Sequence, residues 1–64
     1  MKEIGYINAL EQLKGYGFIR RERGKDLFFL YKNVSIQNIY LGLPVKFKVC
    51  KDQKGTMATE IELI

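Results

Sequence analysis

The chain has 64 residues, of which 47% are hydrophobic and 28% charged, and this composition is typical of a folded globular domain and argues against disorder. So short a chain buries only about 60% of its unfolded surface, which leaves room for one domain, residues 1–64. Eleven Lys and Arg against seven Asp and Glu give a net charge of +4, as expected of a protein that meets polyanions.

Short β-strands are the predicted elements, because β-branched and aromatic residues recur in short runs and no window carries helical periodicity. We predict five strands, at Glu3–Leu10, Gly15–Arg21, Asp26–Tyr31, Pro44–Lys51 and Met57–Leu63. Polar or glycine-bearing turns separate them at Glu11–Lys14, Glu22–Lys25 and Asp52–Gly55.

The segment between the third and fourth strands, KNVSIQNIYLGL, is too short for a crossover helix. We expect a 3₁₀ turn or a loop across one end of the fold. Its apolar anchors are expected to be Val34, Ile36, Ile39 and Leu41.

The last two predicted strands alternate with period two. In VKFKV, one face carries Val45, Phe47 and Val49 and the other Lys46 and Lys48. In MATEIELI, one face carries Thr59, Ile61 and Leu63 and the other Ala58, Glu60 and Glu62. One face of this hairpin is therefore expected to be core and the other solvent-exposed.

Five short strands would leave unpaired edges, and closure of the sheet removes them. The expected fold is all-β, a small five-stranded antiparallel OB-type barrel. Barrels of this type present their second and third strands to oligonucleotides or oligosaccharides.

The second and third predicted strands carry aromatic residues. If Ile19 and Leu27 are core, alternation turns Tyr16, Phe18 and Phe28 outward, and glycines beside Tyr16 leave room for a flat group. Such rings can stack bases, at about 1–3 kcal/mol each. The alternative is a cross-strand cluster that only stabilises the hairpin, at about 0.2–1 kcal/mol per pair. Basic residues placed to hold phosphates are Lys14, Arg20, Arg23, Lys25, Lys32 and Lys54.

Two ordered motifs make the first interpretation more specific. K-G-Y-G-F-I (14–19) and D-L-F-F-L-Y (26–31) resemble the RNP motifs of the bacterial cold-shock proteins, K-G-F-G-F-I and D-V-F-V-H-F. Gly5 also has a counterpart in that family, and GLPVKFKV and KGTMATEI are similar to its last two strands. The resemblance implies an OB-type barrel that binds single-stranded RNA or DNA and keeps RNA from folding on itself, without catalysis or a cofactor.

The resemblance also implies site positions. Tyr31 falls at the aromatic residue that ends the second motif, and Lys54 at a basic residue before the last strand. With Arg20 added from alternation, the predicted nucleic-acid-binding residues are Lys14, Tyr16, Phe18, Arg20, Phe28, Tyr31 and Lys54. The predicted periphery consists of Asn8, Leu10, Leu30 and Tyr40.

The chain departs from the family pattern in its first strand and second motif. A Trp-Phe pair preceded by lysine is replaced by Asn8, Ala9 and Leu10, and a histidine by Leu30. The aromatic of the following loop is missing unless Tyr40 serves. Three stacking positions and one phosphate contact are therefore lost, which predicts binding at least about a hundredfold weaker.

Nearby arginines are expected to compensate in part, because phosphate contacts add affinity without sequence preference. These are Arg20, Arg21 and Arg23. We therefore expect a weaker binder with a steeper salt dependence per base.

Other classes of function compete with nucleic-acid binding. A protein-interaction or homodimer surface is the alternative, through a patch of Tyr6, Leu10, Phe28, Leu30 and Tyr31. Catalysis and metal binding are not expected, because the chain has no histidine and its one cysteine, Cys50, has no evident base. The expected protein is a cytoplasmic monomer with single-stranded RNA or DNA as partner, without a small-molecule substrate, signal peptide or membrane span.

Overall fold

The computed structural model describes residues 2–35 and 38–64, and its five strands form one sheet that closes into a barrel. The strands are β1 (Glu3–Glu11), β2 (Tyr16–Arg21), β3 (Leu27–Leu30), β4 (Pro44–Asp52) and β5 (Gly55–Leu63). Their order is β1-β2-β3-β5-β4, and β4 pairs with β1 to close the ring. The predicted five-stranded barrel is confirmed, with each strand close to its predicted position.

One neighbouring pair of strands is parallel. The β1–β2, β2–β3, β4–β5 and β1–β4 pairs are antiparallel, whereas β3 meets β5 in parallel through Phe28 and Met57. A closed ring with an odd number of strands cannot reverse direction at every neighbour. The short parallel contact is therefore a geometric requirement of closing five strands.

The core lies inside this ring, and every strand contributes to it. The buried hydrophobic residues are Ile7, Ile19, Leu27, Phe29, Leu43, Val45, Phe47, Ala58 and Ile61. In β4, Val45 and Phe47 are buried and Val49 packs against the core, while Lys48 is exposed. The alternation predicted for β4 is confirmed.

Strand β5 breaks its expected alternation at Glu60. This residue has a φ of 50°, and the register between β5 and β4 shifts there. The extra residue of the bulge lets Ala58 and Ile61, three positions apart, both enter the core. The prediction that Ala58 faces away from Ile61 is wrong for this reason, and Leu63 at the strand end is 55% exposed.

The connection from β3 to β4 begins with the predicted 3₁₀ turn, at Tyr31–Asn33. In the described part of the chain, this 3₁₀ turn is the one helical element. No helix there is long and apolar enough to cross a membrane. Val34 forms a parallel bridge with Ile61, and both Val34 and Ile39 pack against the core as predicted. Ile36 lies outside the described residues.

The last predicted anchor, Leu41, is 64% exposed, and Leu43 is buried in its place. Gly42 between them has a φ of 90°, a left-handed conformation that turns the chain. Its N–H donates to the Ile7 carbonyl at 2.7 Å, and the Ile7 N–H donates to the Leu43 carbonyl at 3.0 Å. These bonds fix the turn to β1 and bring Leu43, rather than Leu41, inside.

The bulge at Glu60 gives a testable stability prediction. A β-branched residue fits a positive φ poorly, so Glu60→Val should lower the free energy of unfolding by about 1–2 kcal/mol. Glu60→Asn, which tolerates this conformation, should stay within about 0.5 kcal/mol of wild type. Both variants remove the exposed contact with Lys48, so urea denaturation of the pair isolates the backbone effect. Equal stability of the two variants would contradict the bulge assignment.

Candidate nucleic-acid interface

The direction of the aromatic side chains is set by what lies beneath β2. Gly17 is buried, and a Cβ at this position would lie 2.7 Å from the Phe29 ring. Phe29 therefore fills the space under β2, and alternation sends Tyr16, Phe18 and Phe28 to the outer side. The expectation that Gly17 leaves room for an external flat group is wrong, since that room belongs to the core.

The outer side of β2 and β3 carries a compact ring cluster, which we call the aromatic face (Tyr16, Phe18 and Phe28). The Tyr16 and Phe28 centroids are 5.4 Å apart, Phe18 and Phe28 are 5.9 Å apart, and Tyr16 and Phe18 are 6.0 Å apart. Two of the contacts are edge-to-face, so the rings brace one another. All three residues are half-buried, which leaves part of each ring in solvent.

Two residues outside the predicted nucleic-acid-binding set, Tyr6 and Met57, also lie on this side of the sheet. Tyr6, 43% exposed, lies opposite Arg20 in the β1–β2 register. Met57 of β5 lies opposite Phe28. Cross-strand register is the signal that would have assigned them to this side, and it requires knowledge of which strands pair.

The predicted peripheral residue Leu10 lies on the core side of β1. The β1–β2 register shifts between Ile7 and Ala9, which places Ala9 opposite Phe18 and Leu10 opposite Gly17. Leu10 accordingly packs against the core. The structure does not bring it to the aromatic face.

Tyr31 also packs inward. Its ring stacks on Phe29, with centroids 6.1 Å apart and planes 7° from parallel, and its backbone N–H donates to the Gly15 carbonyl at 2.9 Å. Among the described residues the buried Tyr31 hydroxyl has no hydrogen-bond partner. Burial, and to a smaller extent the charge of Glu11, raises the pKa of Tyr31. The structure does not place this ring in the aromatic face.

The other two predicted peripheral residues, Leu30 and Tyr40, differ in their position relative to the aromatic face. Leu30 lies opposite Tyr16 on the outer side and is half-buried beside the aromatic face. Tyr40 is 56% exposed, and its carbonyl accepts from Leu43 in the turn that is bonded to Ile7 of β1. Its backbone is thus tied to β1 rather than to β3.

The predicted lysines flank the aromatic face at two ends. Lys14 is exposed and stands two residues before Tyr16, at the beginning of β2. Lys54 is exposed in the turn before β5, where its N–H donates to an Asp52 carboxylate oxygen at 2.8 Å. Met57 pairs with Phe28 where β3 and β5 run parallel. The turn that holds Lys54, three residues before Met57, therefore lies near the beginning of β3. Exposed lysines therefore stand on both sides of the ring cluster.

Arg20 is engaged in a polar cluster (Asn8, Arg20 and Asp26). Arg20 Nε donates to Asp26 Oδ1 at 2.6 Å, and Asn8 Nδ2 donates to Asp26 Oδ2 at 2.8 Å. The Asn8 amide foremost, together with the hydrogen bond and charge of Arg20, lowers the pKa of Asp26, while partial burial opposes them. Arg20 is therefore paired with a carboxylate in the free protein.

Arg21 is likewise held within the protein. Its Nε donates to the Lys25 carbonyl at 3.1 Å, and a guanidinium nitrogen lies 3.6 Å from a Glu3 carboxylate oxygen. By contrast, Arg23 is exposed in the turn between β2 and β3. Of the three arginines expected to compensate for lost stacking, two thus have acidic partners.

The Tyr31 hydroxyl gives a stability prediction. Tyr31→Phe should raise the free energy of unfolding by about 1 kcal/mol at pH 7, because it removes a buried polar atom that has no partner among the described residues. The raised pKa means that the folded state keeps this proton longer than the unfolded state, whose tyrosines titrate near pH 10. Wild type should therefore lose stability as the pH rises above about 10 more steeply than Tyr31→Phe.

Urea denaturation at neutral and alkaline pH checks both parts, with Tyr40→Phe at an exposed position as the control. A Tyr31→Phe protein less stable than wild type at pH 7 would mean that the hydroxyl has a stabilising partner.

Comparisons with known proteins find relatives of this chain. The family model described as "'Cold-shock' DNA-binding domain" matches residues 3–64. The Retron Se72 cold shock-like protein of Salmonella heidelberg is 42% identical over 66 residues, which cover 97% of this chain and 98% of that protein. The major cold shock protein CspA of Pseudomonas aeruginosa is 30% identical over 66 residues, covering 98% of this chain and 96% of that protein.

The barrel is also similar to a solved structure, Drosophila Unr CSD456. The TM-score is 0.86 at 30% sequence identity, and the match covers 100% of this chain. This chain spans 27% of the length of that Unr chain.

Proposed function

Since this chain belongs to the cold-shock DNA-binding domain family, we propose that it binds single-stranded RNA or DNA, without sequence preference, on the aromatic face. Nucleic-acid binding in general is the activity of this family, which is not a family of enzymes. The observation that carries the proposal is the position of three partly exposed rings on the outer side of β2 and β3. Bases are the proposed ligands of these rings, and phosphates those of the cations.

Stacking supplies the proposed affinity. Every base has a π face, so each ring can contribute about 1–3 kcal/mol whatever the sequence. Phe18 and Phe28 form the centre of the proposed stacking surface. Tyr16 lies at one side of it, and Tyr6 extends it along β1. Lys14 and Lys54 then meet the backbone on either side, which adds a salt-dependent share.

The missing rings limit the number of bases held. Ala9 lies opposite Phe18, so a methyl group stands where the family pattern has an aromatic residue. We propose that the chain holds fewer bases than relatives with that ring. Weak, sequence-tolerant binding suits a monomer that keeps RNA from folding on itself.

The test is an oligonucleotide titration. Because the chain has no tryptophan, labelled oligo-dT and oligo-U are followed by fluorescence anisotropy at 50 and 200 mM salt. Phe18→Leu and Phe28→Leu should each lower the affinity by roughly 5-fold to 150-fold, since leucine keeps the apolar volume but offers no ring.

The matched control is Leu63→Ala, which removes an exposed apolar side chain six residues along β5 from Met57, the residue level with Phe28. Its affinity should stay within about twofold of wild type. Amide chemical-shift changes should centre on β2 and β3. Absence of binding at 50 mM salt with millimolar oligonucleotide would overturn the proposal.

A protein-interaction surface is the second candidate, and one observation favours it. A groove of about 480 Å³ lies beside β1, and exposed apolar residues line it, including Ile4, Tyr6, Pro44 and Ile64. The patch first predicted for this function is less continuous, since Leu10 and Tyr31 pack against the core. Sedimentation velocity from micromolar to millimolar protein tests self-association, and Ile64→Asp should abolish it if this groove is the contact.

The relative with 42% identity is named for a retron, which suggests a setting for this chain. We propose that this chain, like that relative, functions as the cold-shock-like protein of a retron. Native purification followed by nuclease treatment tests this: nucleic acid that co-purifies and is sensitive to DNase or to RNase identifies the partner, and its sequence shows whether it comes from a retron. Recovery of bulk cellular RNA alone would contradict the retron setting.

A further inference from the structure

One end of the barrel holds most of the cations that are not engaged with carboxylates. The chain has eleven Lys and Arg residues. In the described part of the chain, five of them form ion pairs, namely Lys2, Arg20, Arg21, Lys46 and Lys48. Four of the other six are exposed in or beside two neighbouring turns. We call these four the basic end (Arg23, Lys25, Lys51 and Lys54).

The topology brings the two turns together. The turn from β2 to β3 and the turn from β4 to β5 lie where β3 and β5 begin, and these two strands are neighbours. Phe28 is level with Met57, so Lys25 and Lys54, each three residues earlier, lie at the same end of the sheet. Adjacent strands are about 4.8 Å apart, which places the centres of the two hairpins roughly 10 Å from each other.

Contacts within the protein hold both turns in place. Arg21 Nε donates to the Lys25 carbonyl at 3.1 Å, and the Arg21 guanidinium lies 2.9 Å from the position of a Cβ on Gly24. The Lys54 N–H donates to Asp52 Oδ1 at 2.8 Å, which turns that carboxylate toward the backbone. A ligand therefore meets turns that are already ordered, and binding loses less entropy.

The basic end can contact phosphates but cannot stack bases. Residues 22–25 and 51–54 contain four cations, the carboxylates of Glu22 and Asp52, and no aromatic ring. A single strand on this surface would gain no stacking energy. A duplex keeps its bases stacked inside and presents one negative charge per about 1.7 Å of its axis, so cations without rings suit a duplex.

We propose that the basic end binds the phosphates of a duplex, so that the protein holds a junction between a single strand on the aromatic face and a paired stem. The inference rests on the proposed function and names its substrate class, a single strand joined to a stem. The two surfaces adjoin, because Phe28 is three residues from Lys25 and its partner Met57 is three residues from Lys54. This proximity holds for either direction of the single strand.

Three labelled ligands separate junction binding from single-strand binding. They are a DNA hairpin with an oligo-dT tail, oligo-dT with the same number of nucleotides, and the hairpin without a tail. The tailed hairpin should bind about tenfold more tightly than oligo-dT at 50 mM salt, and this advantage should nearly disappear by 200 mM, since two duplex phosphate contacts add about 1.8 to the salt slope. The hairpin without a tail should bind more weakly than the tailed hairpin. Fluorescence anisotropy measures all three.

The decisive variant is Arg23→Gln/Lys25→Gln, which removes two cations of the basic end and leaves the rings, Lys14 and Lys54 in place. Its affinity for the tailed hairpin should fall about tenfold at 50 mM salt, and its affinity for oligo-dT less than about threefold. Amide spectra verify that the protein is folded.

The matched control is Lys46→Gln/Lys48→Gln, which changes the net charge by the same two units. Both lysines lie on β4 and are ion-paired, with Glu62 at 3.7 Å and Glu60 at 3.9 Å. This variant should keep the advantage of the tailed hairpin over oligo-dT. An equal loss of that advantage would attribute it to net charge and overturn the inference.

The remaining outcomes distinguish the inference from the proposed function. Wild type that binds oligo-dT as tightly as the tailed hairpin, or equal losses for both ligands in Arg23→Gln/Lys25→Gln, would overturn the inference while the proposed function stands. A hairpin without a tail that binds as tightly as the tailed one would contradict the junction, because the single strand would then add nothing. Absence of binding to all three ligands would overturn the proposed function and this inference with it.

Discussion

The close approach of the Phe29 ring to Gly17 is the contact on which the rest of the structure depends. Phe29 and Phe28 are adjacent in a strand, so their side chains must point to opposite sides of the sheet. Burial of Phe29 under a residue without a side chain commits Phe28, and with it Phe18, to the outside. The core and the candidate binding surface are thus two consequences of one register. A shift of one residue would exchange them.

Strand positions and the outward direction of the rings followed from the sequence because both depend on alternation along single strands. Tyr16, Phe18 and Phe28 needed only the assumption that Ile19 and Leu27 are core, and both are buried. The bulges could not be predicted in this way, because an inserted residue is recognised only from the register with the partner strand. The inward position of Leu10 and the shared burial of Ala58 and Ile61 both arise at such bulges.

The electrostatics of the site were the least predictable part, since they depend on contacts between residues far apart in sequence. The positions of Arg20 and Arg21 near the aromatic residues of β2 predicted that both would strengthen phosphate binding. In the fold they meet Asp26 and Glu3, respectively, as partners. Exposed ion pairs contribute little to stability, but they reduce the local positive potential that a phosphate would feel. A count of basic residues therefore overstates the field at this surface.

The changes on β1 alter the surface in two linked ways. Ala9, opposite Phe18, stands where the family pattern has an aromatic residue, and Asn8 stands where that pattern has a lysine. The short Asn8 amide instead turns to Asp26 and holds it against Arg20. Under the proposed function, affinity then rests on the three rings with Lys14 and Lys54, while Arg20 is paired with Asp26 in the free protein.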